Sequence, residues 1–286
     1  MTGTVPRIDA HLHLWDLTVG RYSWLGPQHG ALYASFTAEQ ARTELDAAGI
    51  DSAILVQAED STRDTEFLLD TAAKHPWIVA VVGWVPLDDP SSAERELDRL
   101  QQNPVFRGVR HLVHDDPRDD FLELPEVRRS LALVAERGLS FDMPDAWPRH
   151  LGAVDELAAA LPDLTIVVDH LAKPPLATPA FASWREQLAR VAAHENTVAK
   201  VSGLRSPGVA YSTETVRPAW ERALEFFGTG RLMYGGDWPM SVPVGGYQST
   251  WGVLAEFIGE LSPDEQSSLL SGTASATYRL ESARGK

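Results

Sequence analysis

Eight short apolar, β-branched runs recur along this chain, at 8–14, 51–57, 78–85, 107–112, 139–143, 165–170, 197–202 and 231–236. Helical patterns separate them at 37–48, 63–74, 90–101, 125–137, 147–160, 179–194 and 213–227, with a last one near 249–259. Strict strand–helix alternation implies parallel strands joined by right-handed crossovers. Eight units in 286 residues predict an α/β chain folded as a closed (β/α)8 barrel, a fold that takes roughly 250 residues. The rival is an open doubly wound sheet, but no Gly-x-Gly-x-x-Gly follows the first run. Residues 262–281 are then a C-terminal helical extension. With no linker, low-complexity stretch or short repeat, residues 1–286 are expected to form a single domain.

A barrel puts its chemistry at the C-terminal ends of strands, and this chain supplies reactive residues there. His11 and His13 close the first run, Gln57 the second, Arg110 and His111 the fourth and His170 the sixth, while Asp237 follows the eighth. On an extended strand residues two apart share a face, so the two imidazoles of His11 and His13 converge and Ile8, Ala10, Leu12 and Leu14 point away. Such a pair suits a metal or a substrate carbonyl, or is a hydrogen-bonded pair of core histidines. Alternation turns Asp169 to the opposite face from His170, as a structural partner for a helix, and allows only one of Arg110 and His111 to face inward.

Composition narrows the partners. Twenty-five Lys and Arg against 40 Asp and Glu give a formal charge of −15, which repels nucleic acid and anionic membrane surfaces. The longest apolar stretch, 77–87, is shorter than a bilayer span, and the ten residues before His11 are too few and too polar for a signal peptide, so a cytoplasmic protein is expected. The absence of cysteine removes disulfides, thiolate metal sites and cysteine nucleophiles. Any metal must be held by His and carboxylate.

Several motifs carry a resemblance. They are His11-Leu12-His13-Leu14-Trp15-Asp16, Val56-Gln57-Ala58, Val82-Gly83-Trp84-Val85 and Gly108-Val109-Arg110-His111. Further along come Asp169-His170-Leu171-Ala172-Lys173-Pro174, Lys200-Val201-Ser202-Gly203-Leu204 and Tyr234-Gly235-Gly236-Asp237-Trp238-Pro239. Across nearly the whole chain these resemble the amidohydrolase superfamily, in particular its amidohydrolase-2 branch of sugar-lactone and pyrone-dicarboxylate lactonases. Superfamily members with two bridged metals usually carry a Lys or Glu after strand four and a His after strand five. Here strand four offers Arg110, and strand five ends Ser140-Phe141-Asp142-Met143-Pro144. An always-protonated guanidinium cannot bridge cations, so at most one divalent ion is expected, held by His11, His13, His170 and Asp237. Zinc is the first candidate, weakly bound, and the branch's tolerance of metal loss leaves a metal-free site equally open.

The reaction implied is opening of a small lactone, first of all a sugar aldonolactone, to its hydroxy acid. Asp237 is the expected base, its alternative role being a helix N-cap. His11, His13 and His170 polarise the carbonyl. Arg110 or His111, Lys173 and Gln57 are expected substrate contacts. The long connection from Trp15 to Phe36 would bring Trp15, Tyr22 and Trp24 to the rim beside Trp238, offering flat apolar faces to a sugar ring. His114 is expected in a loop at the mouth. The competing readings are a metal-dependent decarboxylase or amide hydrolase of the same superfamily, and a non-catalytic sugar-binding barrel. The oligomeric state is left open.

Overall fold

The computed structural model describes residues 6–280; the extreme ends of the expected 1–286 domain, and residue 281 of the expected extension, lie outside the described residues. Eight parallel strands, β1 (Ile8–Leu12), β2 (Ser52–Val56), β3 (Ile78–Gly83), β4 (Phe106–Arg110), β5 (Ser140–Met143), β6 (Thr165–Val168), β7 (Thr197–Val201) and β8 (Leu232–Tyr234), pair in sequence order. Just past β8 the Asp237 N–H donates to the His11 carbonyl (2.9 Å) and the His13 N–H to the Trp238 carbonyl (2.8 Å), so the first and last strands meet. The fold is the expected (β/α)8 barrel.

The interstrand helices are α1 (Ala38–Ala48), α2 (Thr62–Ala72), α3 (Pro90–Leu100), α4 (Pro125–Glu136), α5 (Leu151–Ala160), α6 (Phe181–Ala192) and α7 (Thr213–Phe227), with α8 (Gly246–Gly259) after β8. Their starts follow local chemistry: Thr37 with Gln40 and Ser212 with Thr215 form capping boxes, and Ser61 and Asp89 cap α2 and α3. Each helix turns an apolar stripe to the outer faces of the strands, where Leu55, Val81, Phe141 and Tyr234 are buried.

A second, smaller apolar cluster fills the barrel itself: Ile8, Ala10, Ile54, Val56, Val82, Val167 and Met233, joined by Ala274 and Tyr278 from the C-terminal segment. Ile8 and Ala10 therefore do not point away from the interior as simple alternation predicts. The β1–β2 register shifts between Asp9 and Leu12, and this irregularity lets Ile8 and Ala10 share the interior with the two histidines. The expected extension is present as α9 (Pro263–Ser267), a π-helical stretch at Ser268–Gly272 and α10 (Thr273–Thr277). No helix among the described residues is long and apolar enough to cross a membrane.

Candidate active site

His11 and His13 converge as the sequence predicts, with their Nε2 atoms 3.0 Å apart. His13 Nδ1 donates to the Val56 carbonyl (2.8 Å), which fixes the ring. Asp9, on the outer side of β1, accepts from the His11 and Gly236 N–H groups (both 2.9 Å) and from the Tyr247 hydroxyl (2.8 Å), pinning the two strand ends together. Burial pushes its carboxyl up to about 6 against those hydrogen bonds. Glycine is required at 235, where a Cβ would lie 2.7 Å from that of His11.

His170 is not the last residue of a strand. β6 stops at Val168, and four consecutive residues, His170 to Lys173, take positive φ angles of 50–60°. That turn brings His170 over the barrel mouth, its Nδ1 2.8 Å from Ser202 Oγ. Asp237 is also left-handed, at φ 49°, and its Oδ1 lies 3.9, 3.8 and 3.8 Å from Nε2 of His11, His13 and His170 respectively. Burial raises the Asp237 carboxyl to about 6, opposed by the Lys173 ammonium. Burial and the neighbouring cations push all three imidazoles the other way, His13 to about 3 and His11 and His170 well below their usual value, so each is neutral near pH 7.

The donor set fits one divalent ion. One ligand atom from each of His11, His13 and Asp237 lies within 4.8 Å of the others, close to the spacing of donors that each sit about 2 Å from a shared zinc. Neutral imidazoles and a carboxylate are the correct ligand forms, and His13 and His170 each have Nδ1 engaged and Nε2 directed to the site. His11, Asp169 and His170 form a second close trio, but Asp169 already lies 3.1 Å from both Lys200 Nζ and Arg110 Nε. Those fixed charges disfavour a further cation there.

Beneath the site lies a polar network absent from the sequence-based expectations. Lys200, wholly buried on β7, donates to Asp142 Oδ2 (2.6 Å) and pairs with Asp169 Oδ1 (3.1 Å), and its Nζ is 3.1 Å from His11 Nδ1. Tyr278, just after α10, donates to the same Asp142 oxygen (2.6 Å), and Ser140 to the other (2.9 Å). Asp169 thus faces the barrel interior rather than a helix, two residues after the interior Val167, and it is His170 that departs from alternation, turned over the mouth by its positive φ. Its carboxyl is pushed up by burial but brought below the usual range by Lys200 and Arg110. Two cations and two carboxylates balance in this floor. Its signal in the sequence was a lysine in the otherwise apolar run Val198-Ala199-Lys200-Val201.

Above it opens a cavity of about 280 Å³, lined among others by His13, His170, Asp237, Arg110, Lys173, Trp15 and Trp24. Of the alternative pair, Arg110 is the inward residue, donating to Asp169 and to the Gln57 carbonyl (3.0 Å). His111 faces outward, stacked on Phe121 at 4.2 Å and hydrogen-bonded to Trp84 and Asp116. Three other expected contacts do not line this cavity. The Gln57 amide is buried and donates to Asp60 (3.0 Å) and the Arg110 carbonyl (3.3 Å). Trp238 packs edge-on against Phe36 (5.2 Å), and Tyr22 is buried with its hydroxyl on Asp64 (3.0 Å). Trp15 and Trp24 hold their rim positions by donating to the Ala34 (2.6 Å) and Ala58 (2.7 Å) carbonyls. His114 does line the cavity, joined by His29, Asp145 and Arg205, which sequence reasoning missed because they come from separate loops.

The amidohydrolase family model matches residues 8–280. The chain is 32% identical to the L-fucono-1,5-lactonase of Burkholderia ambifaria, covering 98% of this chain and 97% of that protein. It is 31% identical to the L-fucono-1,5-lactonase of Burkholderia multivorans, covering 96% of each. Among solved structures, an amidohydrolase from Burkholderia multivorans with bound zinc superposes with a TM-score of 0.87 at 30% identity, covering 96% of this chain and 99% of that one. With its barrel, its His-x-His strand end and its late His and Asp at one mouth, this chain belongs to the amidohydrolase family.

Proposed function

We propose that this chain is a lactonase that opens a small sugar aldonolactone to its hydroxy acid, with Asp237 as the base. One observation carries the reading: a buried carboxylate with a raised pKa sits among three neutral imidazoles at the base of a cavity sized for a single small ring. The two L-fucono-1,5-lactonases at 31–32% identity support the substrate class. A decarboxylase, an amide hydrolase or a catalytically silent sugar-binding barrel has no comparable support.

In this mechanism Asp237 takes a proton from a water, whose oxygen forms a bond to the lactone carbonyl carbon. Lys173, 3.9 Å from Asp237 Oδ2, supplies positive charge near the developing oxyanion, and His11, His13 and His170 line the side of the site where the carbonyl is held. Collapse breaks the ring carbon–oxygen bond, and the proton held on Asp237 passes to the departing alkoxide. A divalent ion held by His11, His13, His170 and Asp237 would, when bound, supply Lewis-acid polarisation of the carbonyl.

The cavity wall is charge-balanced: Arg110, Lys173 and Arg205 face Asp115, Asp145 and Asp237. Arg110 is committed to Asp169, so the wall suits a neutral polyhydroxylated ring better than a dicarboxylate. We read residues 1–286 as one cytoplasmic domain whose negative charge keeps it from nucleic acid and membrane surfaces. The test is kcat/KM across a lactone panel with spontaneous hydrolysis subtracted. L-Fucono- and L-rhamnonolactones should exceed pyrone or muconolactone carboxylates by at least about tenfold. Preference for a charged lactone would overturn the neutral-sugar assignment, and inactivity on every lactone would overturn the reaction class.

A further inference from the structure

The contacts around His11 specify where its ring proton sits. The Val56 carbonyl can only accept, so His13 Nδ1, 2.8 Å away, carries a hydrogen and His13 Nε2 presents a lone pair. The 3.0 Å contact between the two Nε2 atoms is then a hydrogen bond only if the hydrogen is on His11 Nε2. On the far side of the same ring the Lys200 ammonium, which can only donate, lies 3.1 Å from His11 Nδ1. A hydrogen on Nδ1 would therefore face another donor. One tautomer satisfies all three contacts, and in it Asp169 Oδ1, 3.3 Å from Nδ1, receives no hydrogen from His11 and keeps only its ion pair with Lys200.

We propose that Lys200 is a positioning residue that holds His11 as its Nε2–H tautomer, closing the His11–His13 pair with a hydrogen bond that a divalent ion must displace in order to bind. To ligate through Nε2, His11 gives up the hydrogen there and takes one at Nδ1, exchanging through solvent with no change in total charge. Asp169 Oδ1 is already placed to accept the new Nδ1–H. Lys200 and Asp169 thus pull one imidazole toward opposite tautomers, and their balance sets how tightly the ion is held. This rests on reading His11, His13 and Asp237 as the place an ion occupies, and not on the identity of the lactone.

The tautomer is read from long-range proton–nitrogen correlations of the imidazoles in metal-stripped protein, with His11 assigned through H11Q. His11 should be Nε2–H in the wild type and Nδ1–H in K200M. In competition with a chromophoric chelator, K200M should bind zinc about 10–100-fold more tightly than wild type and D169N more weakly by a similar factor, the usual reach of a residue that orients a ligand. An Nδ1–H tautomer in the wild type overturns the proposal, as does a folded K200M whose zinc affinity is unchanged or lower. Should K200M fail to fold, the wild-type tautomer and the direction of the D169N effect decide. An Nε2–H tautomer with no zinc binding by any variant overturns the ion displacement and the ion site together, leaving the lactone assignment to its own assay.

Discussion

Replacing Asp237 by Asn should cost activity and add stability, and the two effects should share one pH dependence. Burial lifts this carboxyl from 3.8 to about 6 in the folded protein. Because the folded pKa is raised, the native state holds its proton more tightly than the unfolded chain, and stability is lost as pH rises from about 4 through about 6. The ionised group therefore costs up to about 3 kcal/mol above that window, from a shift of about two units at 1.4 kcal/mol each. Asn keeps the shape without the charge. In chelator-treated protein, D237N should unfold several degrees higher than wild type at pH 8, with the gap shrinking toward zero at pH 4, as each kcal/mol moves Tm by about 2–4 °C in a large domain. Wild-type kcat/KM should fall about tenfold between its plateau and pH 5, following the base through about pH 6, whereas D237N should be about 10²–10⁴-fold slower and lack that limb. Calorimetry at the two pH values and a lactone pH–rate profile read both. A D237N protein no more stable at pH 8, or one that keeps the acid limb, would refute the assignment of a strained buried base.

Gly203 has φ 53°, and a Cβ there would stand 2.4 Å from Asp237 Oδ2 and 2.6 Å from His170 Nδ1. G203A should therefore lower kcat by at least about tenfold while leaving far-UV circular dichroism unchanged, and wild-type kcat would refute the close approach. His111 packs away from the cavity, so H111A should destabilise the fold by about 1–3 kcal/mol in urea unfolding with kcat/KM within about threefold of wild type. A larger kinetic loss would return His111 to the site.

The barrel and the gathering of histidines and Asp237 at its mouth were legible because both depend on local periodicity. Strand and helix patterns alternate without interruption, and the His-x-His spacing needs only a short extended segment to bring two rings together. The errors arise where that locality ends. Alternation assigned Asp169 outward because His170 was taken as the inward residue of a continuous strand, whereas Val167 and Asp169 share the inner face and His170 joins them only through a turn of positive φ angles. Gln57 lies at a strand end, as expected, but its amide is captured by Asp60 three residues on. The floor was hidden for a different reason: Lys200 meets Asp142 and His11 at separations of 58 and 189 residues, and no local pattern announces such a pairing.

Those separations also set when the site can come into being. Asp9 reaches Gly236 and Tyr247 across 227 and 238 residues, and Tyr278 reaches Asp142 across 136. Contacts so remote in sequence form late, since each must first overcome the entropy of closing a long loop. On a ribosome adding about 5–20 residues per second, the His pair emerges roughly ten seconds to a minute before Tyr278 is made. Until β8 follows, most of the way through that interval, β1 lacks the neighbour that closes the barrel, and its unpaired backbone is an edge on which other chains can assemble. The nascent protein is thus most open to misassembly at the strand that carries His11 and leads into His13, and enzymatic activity should appear only with the last contacts of folding.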